Sequence, residues 1–246
     1  MSASNSSWIK HHHHGRAWLP LVMAGLLGWN LTVPVAWAES QACVHKSQSA
    51  RLRCMAQSTR AIENALAGTG LRVDMLIRRG GEGGPFVAAG PPVHRDVQRW
   101  NRLNRALKVL PLAAPLDNYA VSSGFGLRRD PINRRRAMHA GIDLLAPMRS
   151  PVVATAPGRV VFAGRKGGYG RMVEIDHGLG VHTRYGHLSA IHVHTGQSLA
   201  VGQRVGLLGS TGRSTGPHLH YEVMVDGKPR NPQPFLKAGI RLNGPG

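Results

Sequence analysis

The chain has 246 residues with 31 Lys and Arg against 12 Asp and Glu, so its formal net charge is +19 at pH 7 with neutral histidines. Single domains usually contain about 100 to 200 residues, so this length predicts about two domains and excludes a long array of them. The charge favours an anionic partner, such as nucleic acid, anionic lipid or a cell-wall polymer.

Residues 1–38 have the features of a secretory signal peptide. They carry two basic residues and no acidic one, and the apolar run AWLPLVMAGLLGWNLTVPVAWA ends in a small-x-small cleavage signal. We predict cleavage after Ala38 and export to the periplasm or cell envelope, which argues against nucleic acid as the partner. Contact with a membrane follows only if the segment is retained as an anchor. The histidines at 11–14 would be removed and are excluded from any site.

Residues 39–119 are predicted to form a small helical and linker region. Cys43 and Cys54 are the only cysteines; in an exported protein a pair this close favours a local disulfide, with a zinc site as a minor alternative. A short helix is expected over 57–67, ending at Gly68. The glycine-rich stretch RRGGEGGPFVAAGPP, residues 78–92, is typical of a flexible linker.

A second helix is expected in HRDVQRWNRLNRALKVLP, which begins at His94 and is closed by Pro111. Its apolar residues recur at helical spacing, so one face should be buried. The other faces carry arginines and a lysine, either as a solvated surface or as a stripe along an anionic polymer. This region could also cover an active-site groove until a regulatory protein displaces it, or it could be a plain spacer or wall-contacting arm.

From Ala120 the pattern changes to short β-rich runs separated by glycine turns. Runs such as RMVEIDHG, VHTRYGHL and HLHYEVMVDG show no helical period of useful length. This pattern predicts an all-β domain with an antiparallel sheet over residues 120–237. Residues 238–246 are expected to be a C-terminal tail.

Two stretches of the predicted β domain carry possible metal ligands. In HLHYEV, alternation along a strand places His218, His220 and Glu222 on one face, and imidazoles about 7 Å apart can serve one metal centre. In HAGID, His139 and Asp143 lie four residues apart, but the intervening glycine and a nearby proline favour an extended bend over a helix. Imidazole nitrogens and carboxylate oxygens are both ordinary zinc ligands.

Other histidines and one serine motif have plainer explanations. In TRYGHL, Tyr185 and His187 would share a face of a regular strand. We expect the histidines at 177, 182, 192 and 194 to be structural or solvent-facing, the first of them in a turn. The stretch GRSTG, residues 212–216, matches the motif of a serine nucleophile, but no helix is expected after it. We interpret it instead as the loop that delivers His218 to its strand.

Together the motifs H-x-x-x-D, Y-x-H-L and T-G-x-S-x-G-P-H-L-H-[FY]-E resemble the lysostaphin-like, or LytM-type, zinc metalloendopeptidases that cut peptidoglycan cross-bridges. The resemblance covers roughly residues 122–237. It implies that His139, Asp143 and His220 hold one Zn²⁺ per chain and that His187 and His218 are the catalytic pair. Because all five positions are retained, we expect an active enzyme.

The resemblance implies peptidoglycan as the substrate, and a D-alanyl to diaminopimelate cross-link is favoured because no Gram-positive wall-anchoring motif is evident after residue 38. Glycine bridges stay open. The alternative is a non-catalytic wall-binding or amidase-activating module of the same fold, which would be marked by the loss of metal ligands.

Overall fold

The computed structural model describes residues 47–71, 94–130 and 134–243. The predicted signal segment, Cys43 of the predicted disulfide and the predicted linker at 78–92 lie outside these residues, so those expectations stay predictions. Within the described ranges, none of the helices combines the length and the apolar character that crossing a membrane would require.

The described residues contain helices near both ends and strands between them. The helices are α1 (Gln48–Leu66), α2 (Arg95–Val109) and α3 (Gln233–Asn243), with short 3-10 turns at Ala67–Thr69 and Gly167–Tyr169. The strands are β1 (Ala120–Ser123), β2 (Gly126–Arg129), β3 (Arg136–His139), β4 (Ile142–Leu145), β5 (Pro151–Val153), β6 (Gly158–Arg165), β7 (Arg171–Gly178), β8 (Val181–Leu188), β9 (Ala190–Ile191), β10 (Ser198–Leu199), β11 (Arg204–Leu207), β12 (Leu219–Val225) and β13 (Lys228–Arg230).

The main sheet has eight strands in the order β1-β4-β12-β8-β7-β6-β10, with β13 paired to β12. Smaller sheets of order β5-β11-β9 and β2-β3 accompany it. Every pair between these strands is antiparallel. The predicted antiparallel β domain is therefore confirmed. Strand β12 lies between β4 and β8, and all seven of its residues are buried.

Thr155, Tyr185 and Tyr221 form a polar cluster that is buried in the apolar core. The rings of Tyr185 and Tyr221 pack with their centroids 5.5 Å apart, and both residues are fully buried. Thr155 Oγ1 lies 3.0 Å from the Tyr185 hydroxyl and 2.9 Å from the Tyr221 hydroxyl. Buried hydroxyls need such partners, since an unpaired one costs about 1–3 kcal/mol. Thr155 and the two tyrosines therefore hold β8 and β12 together on the face that packs in the core.

Helix α1 is longer than the sequence predicts. It begins at Gln48, nine residues before the expected start, because Met55, Thr59 and Ile62 continue one buried stripe at helical spacing. Ser47, the residue before it, is of a type favoured at a helix start, but it makes no side-chain capping bond. The predicted stop is close, since the 3-10 turn after α1 ends at Gly70 in the left-handed conformation.

Helix α2 forms where the sequence predicts it. The His94 ring accepts a hydrogen bond from the Asp96 amide, and Leu103 and Ala106 are buried. Arg99, one of the predicted basic residues, makes two bonds of 2.8 and 2.6 Å to Glu63 of α1. Apolar residues of α1 and α2 join the same hydrophobic core as the sheet. The proposed boundary at 119/120 therefore separates segments that share one core.

Helix α3 was not predicted. The sequence indicated only strands over residues 120–237 and a tail over 238–246, and this expectation is wrong. The helix spans the proposed boundary at 237/238 and buries Phe235, Leu236 and Ala238. Its glycine, Gly239, lies so close to the segment after α2 that a Cβ there would collide with the Leu112 carbonyl oxygen. The absence of a side chain thus permits this close packing.

Candidate metal centre

Three strand segments bring His139, Asp143 and His220 together. His139 ends β3, Asp143 lies in β4, and His220 lies in β12 directly opposite Asp143. The link between the first two is an extended bend, as the sequence predicts. Gly141 in that bend approaches the Tyr221 carbonyl so closely that a Cβ would clash with it. All three side chains are buried.

The three potential ligand atoms converge on one point. His139 Nε2 lies 3.1 Å from Asp143 Oδ1 and 3.1 Å from His220 Nδ1, and the last two atoms are 2.9 Å apart. The remaining ring nitrogens are used elsewhere: His139 Nδ1 donates to the Gly124 carbonyl at 2.6 Å, and His220 Nε2 donates to Glu222 Oε1 at 2.9 Å. Each imidazole therefore directs its lone pair at the cluster.

Convergent lone pairs require a positive charge between them, which a proton or a metal ion can supply. Zinc bound tetrahedrally at about 2.0–2.1 Å would hold its ligand atoms about 3.3 Å apart, close to the observed separations. Two imidazoles and one carboxylate also match the known donor preference of zinc. These residues thus fit a zinc ion, and binding would displace any proton shared among them.

The charges within the cluster shift its pKa values. Burial would raise the pKa of Asp143, but hydrogen bonds and charge from His139 and His220 outweigh it and hold that pKa well below its ordinary value. Burial would lower the pKa of His220, but hydrogen bonds to Asp143 and Glu222 raise it to about 9. The lowered pKa keeps Asp143 ionised, and the raised pKa of His220 shows that its surroundings favour positive charge. The cluster is therefore a site that attracts cations.

Glu222 orients the His220 ring by a hydrogen bond to the ring nitrogen that points away from the cluster. Its side chain is only 1% exposed, and besides His220 it accepts bonds from the Tyr169 hydroxyl at 2.8 Å and Arg184 Nη1 at 3.3 Å. Arg184 also contacts Glu174, with Nε 3.0 Å from Oε2. Burial and the neighbouring Glu222 raise the pKa of Tyr169 to about 12, so its phenol remains a donor at neutral pH.

His187 reaches the cluster through an unusual backbone. A regular strand would place it on the same face as Tyr185, and this prediction is wrong: the Tyr185 ring packs in the core, while the His187 ring lies 5.8 Å from that of His220. The physical reason is the left-handed backbone of His187, φ 59°, which interrupts the alternation of β8. A non-glycine residue pays about 1–2 kcal/mol for this conformation, which is typical of functional sites.

His187 and His218 present the same nitrogen to the cleft. His187 Nδ1 donates to the Thr211 carbonyl at 2.7 Å, and His218 Nδ1 donates to the Gly216 carbonyl at 2.8 Å. Their ring centroids are 4.7 Å apart, and His218 Nε2 lies 3.7 Å from Asp143 Oδ1. Burial lowers the pKa of His187 to about 4, so its ring is neutral at pH 7. Each ring is therefore free to use Nε2 beside the metal ligands.

The loop that precedes β12 is held against the 3-10 turn at 167–169. Gly212 has φ 76°, and a Cβ there would clash with the Gly170 amide. The Ser214 hydroxyl donates to the Gly216 carbonyl at 2.7 Å and lies 3.3 Å from His218 Nδ1. This serine thus shapes the loop that leads to His218, and the loop is followed by strand β12.

These groups line a cleft of about 590 Å³. The lining includes the metal-ligand cluster, His187 and His218. It also includes Ser122, Ser123, Arg128, Met138, Ala140, Leu145, Gly168, Tyr169, residues 213–217 and Glu222. None of the lining residues precedes Ser122 within the described part of the chain. A cover formed by residues 39–119 therefore stays a prediction.

The other histidines of the described ranges lie outside the cleft lining. His177 is buried in β7 and not in a turn as predicted, with its ring nitrogens 2.7 Å from the Pro157 carbonyl and 2.8 Å from Thr183 Oγ1. The histidines at 192 and 194 are exposed. His182 Nδ1, on β8, lies 3.6 Å from Glu174 Oε1 of β7.

The sequence motifs assign no role to Glu222, Tyr169 or Arg128. Glu222 had a signal, since it shares the strand face of His220 two residues away. Tyr169 and Arg128 come from separate elements, and their contacts depend on how the sheet brings those elements together.

The segment that carries these residues is similar in sequence to known proteins. Residues 137–232 match the family model described as Peptidase family M23. DD-carboxypeptidase/endopeptidase Mpg of Neisseria meningitidis serogroup B is 51% identical over 118 residues, which cover 48% of this chain and 27% of that protein. Peptidoglycan DD-endopeptidase ShyA of Vibrio cholerae serotype O1 is 42% identical over 152 residues, covering 61% of this chain and 35% of that protein.

The chain thus spans about a third or less of the length of these two relatives. Among solved structures, the catalytic domain of the antimicrobial peptidase lysostaphin from Staphylococcus simulans is 35% identical, with a TM-score of 0.46. The match covers 49% of this chain and 94% of that one.

Proposed function

We propose that this chain, whose residues 137–232 form a peptidase family M23 domain, is a zinc-dependent endopeptidase that hydrolyses peptide cross-links of peptidoglycan. The convergence of His139 Nε2, Asp143 Oδ1 and His220 Nδ1 within 3.1 Å carries this proposal. We place one Zn²⁺ per chain on these atoms. When bound, zinc would act as a Lewis acid on the scissile carbonyl and lower the pKa of a bound water to about 7.

The protein's own groups would position the reactants. His187 and His218 each direct Nε2 into the cleft, where the two rings orient the attacking water, take up its proton and hydrogen-bond the carbonyl oxygen as it gains charge. Glu222 and the Gly124 carbonyl keep the ligand rings in the tautomers that coordinate metal. Hydrolysis breaks the amide C–N bond, and the leaving nitrogen gains a proton.

The favoured bond is the D-alanyl to diaminopimelate cross-link. Two curated relatives carry names that specify DD-endopeptidase or DD-carboxypeptidase/endopeptidase activity. A non-catalytic wall-binding or amidase-activating role is less well supported, because its mark would be a missing ligand, and all three candidate ligands are present and assembled.

The proposed setting is the cell envelope. Residues 1–38 would direct export and be cleaved after Ala38, and the net positive charge would increase encounters with an anionic wall polymer. Sequencing the N-terminus of the mature protein tests the cleavage. A regulatory protein acting through residues 39–119 is also proposed. A chain starting near Ala120 that hydrolyses sacculi at the same rate as the mature protein would remove that proposal.

Digestion of purified sacculi, with identification of the released muropeptides, tests the function. Wild type should release products cut at the D-alanyl to diaminopimelate bond, and His220→Ala should release none because the metal loses a ligand. Folded, zinc-loaded wild type that releases no peptide would overturn the proposal. Cleavage at glycine bridges alone would overturn the choice of bond.

A further inference from the structure

Arg128 lies beside the metal-ligand cluster with part of its guanidinium free. Its Nη1 donates to Ser123 Oγ at 2.7 Å, and its Nη2 donates to Asp143 Oδ2 at 3.2 Å. The side chain is 32% exposed, and the residue lines the cleft. A guanidinium has five N–H donors, so these two contacts leave donors for a ligand in the cleft.

The cleft offers little other negative charge to this arginine. Among the described residues that line it, the carboxylates are Asp143 and Glu222, whose side chains are 11% and 1% exposed. Both are turned toward the metal-ligand histidines. Arg213, the other basic lining residue, is paired with Asp130 at 2.7 Å. Once a divalent cation shares the charge of Asp143, Arg128 becomes the cationic group best placed to receive an anion beside the scissile bond.

We propose that Arg128 recognises a carboxylate on the leaving residue of the substrate, on the carbon next to the scissile nitrogen. This inference rests on the proposed function, since it specifies which amide that site accepts. Three covalent bonds of about 1.3–1.5 Å separate such a carboxylate carbon from the scissile carbonyl carbon. A carbonyl held at the ligand cluster therefore places the carboxylate within reach of the Arg128 fork, which matches a carboxylate bidentately.

This chemistry sorts the possible wall substrates. A D-alanyl to diaminopimelate cross-link has a free carboxylate next to the scissile nitrogen, and so does a terminal D-alanyl-D-alanine. A bond inside a glycine bridge has none, because the carboxyl group of the leaving glycine is part of the next amide. Amidation of the diaminopimelate carboxyl would remove the negative charge while leaving the scissile bond unchanged.

The test uses two cross-linked peptides that differ only in this group, one with the carboxylate and one with the carboxamide. Wild type should have a kcat/KM about 10- to 100-fold higher for the carboxylate, the effect expected of a charged hydrogen-bonded pair. Arg128→Gln should reduce the ratio to near one, and Arg128→Lys should retain part of it. Because the ratio is taken within one preparation, incomplete zinc loading cancels.

Arg213→Gln is the matched control, and it should keep the wild-type ratio. For an Arg128→Gln protein too slow to assay, calorimetry with the two amine products gives the same comparison without turnover. Equal rates of wild type on both peptides, or an unchanged preference in Arg128→Gln, would overturn the role of Arg128 while the proposed function stands. Cleavage of neither peptide or sacculi by zinc-loaded wild type would overturn the proposed function itself.

Discussion

Replacing Glu222 with Gln tests whether the buried carboxylate behind His220 determines metal affinity. The substitution keeps the shape of the side chain but removes its charge and replaces one acceptor oxygen with an NH₂ group. Glu222 accepts bonds from His220 Nε2, the Tyr169 hydroxyl and Arg184 Nη1. A glutamine has only one oxygen, so at least one of these donors must face an NH₂ group.

The structure sets the size of the effect. Glu222 is 1% exposed, so water cannot replace the lost acceptor. A hydrogen bond to a charged group contributes about 1.5–3 kcal/mol. Loss of the group that orients a ligand histidine typically weakens metal binding about 10- to 100-fold. We therefore expect Glu222→Gln to bind zinc about 10- to 100-fold more weakly and to unfold at a lower temperature.

Competition with a chromophoric chelator measures the zinc affinity, and thermal unfolding measures the stability. Glu174→Gln is the control, because Glu174 contacts Arg184 but not His220. Its zinc affinity should stay within about twofold of wild type. The reasoning is refuted by a Glu222→Gln protein that binds zinc as tightly as wild type, or by equal losses in both variants.

Three further outcomes are expected. His187→Ala and His218→Ala should each lower kcat at least about 100-fold while zinc content measured by atomic absorption is unchanged; lost zinc would make them ligands instead. Burial lowers the pKa of His177 below its ordinary 6.5, so the stability it contributes is complete above pH 6.5 and is lost as pH falls. Wild type should therefore lose more Tm between pH 7 and 5 than His177→Gln, and equal losses contradict this. Gly239→Ala should lower stability by about 1–3 kcal/mol in chemical denaturation through a backbone clash, whereas Gly68→Ala, where a Cβ has ordinary space, should not.

The β domain was predictable because its signals are local. In runs such as VHTRYGHL, alternating apolar residues predict a strand, and the glycine turns predict where it ends. Short connections between such strands predict antiparallel pairing. Helix α3 was missed because its buried stripe, which includes Phe235 and Leu242, is short and follows two prolines. The start of α1 was missed because its first residues, 48–54, include none of the buried residues that would mark an apolar stripe.

Part of the candidate site was also predictable from the sequence, and part was not. The resemblance to the lysostaphin-like family implied the five histidine and aspartate positions, and the structure brings those side chains together, although their roles stay proposals. The direction of His187 was not predictable, because a left-handed residue inside a strand reverses the expected face and leaves no mark in the sequence. Tyr169 and Arg128 reach the cleft from separate elements, so only the assembled sheet reveals their contacts.

The most direct test of the central claim is a zinc titration of chelator-treated protein, with release of D-alanyl to diaminopimelate products measured at each step. The convergence of His139, Asp143 and His220 predicts no hydrolysis without metal and recovery that saturates at one zinc per chain. Full activity in the metal-free protein, or none after one equivalent of zinc is bound to folded protein, would contradict the account.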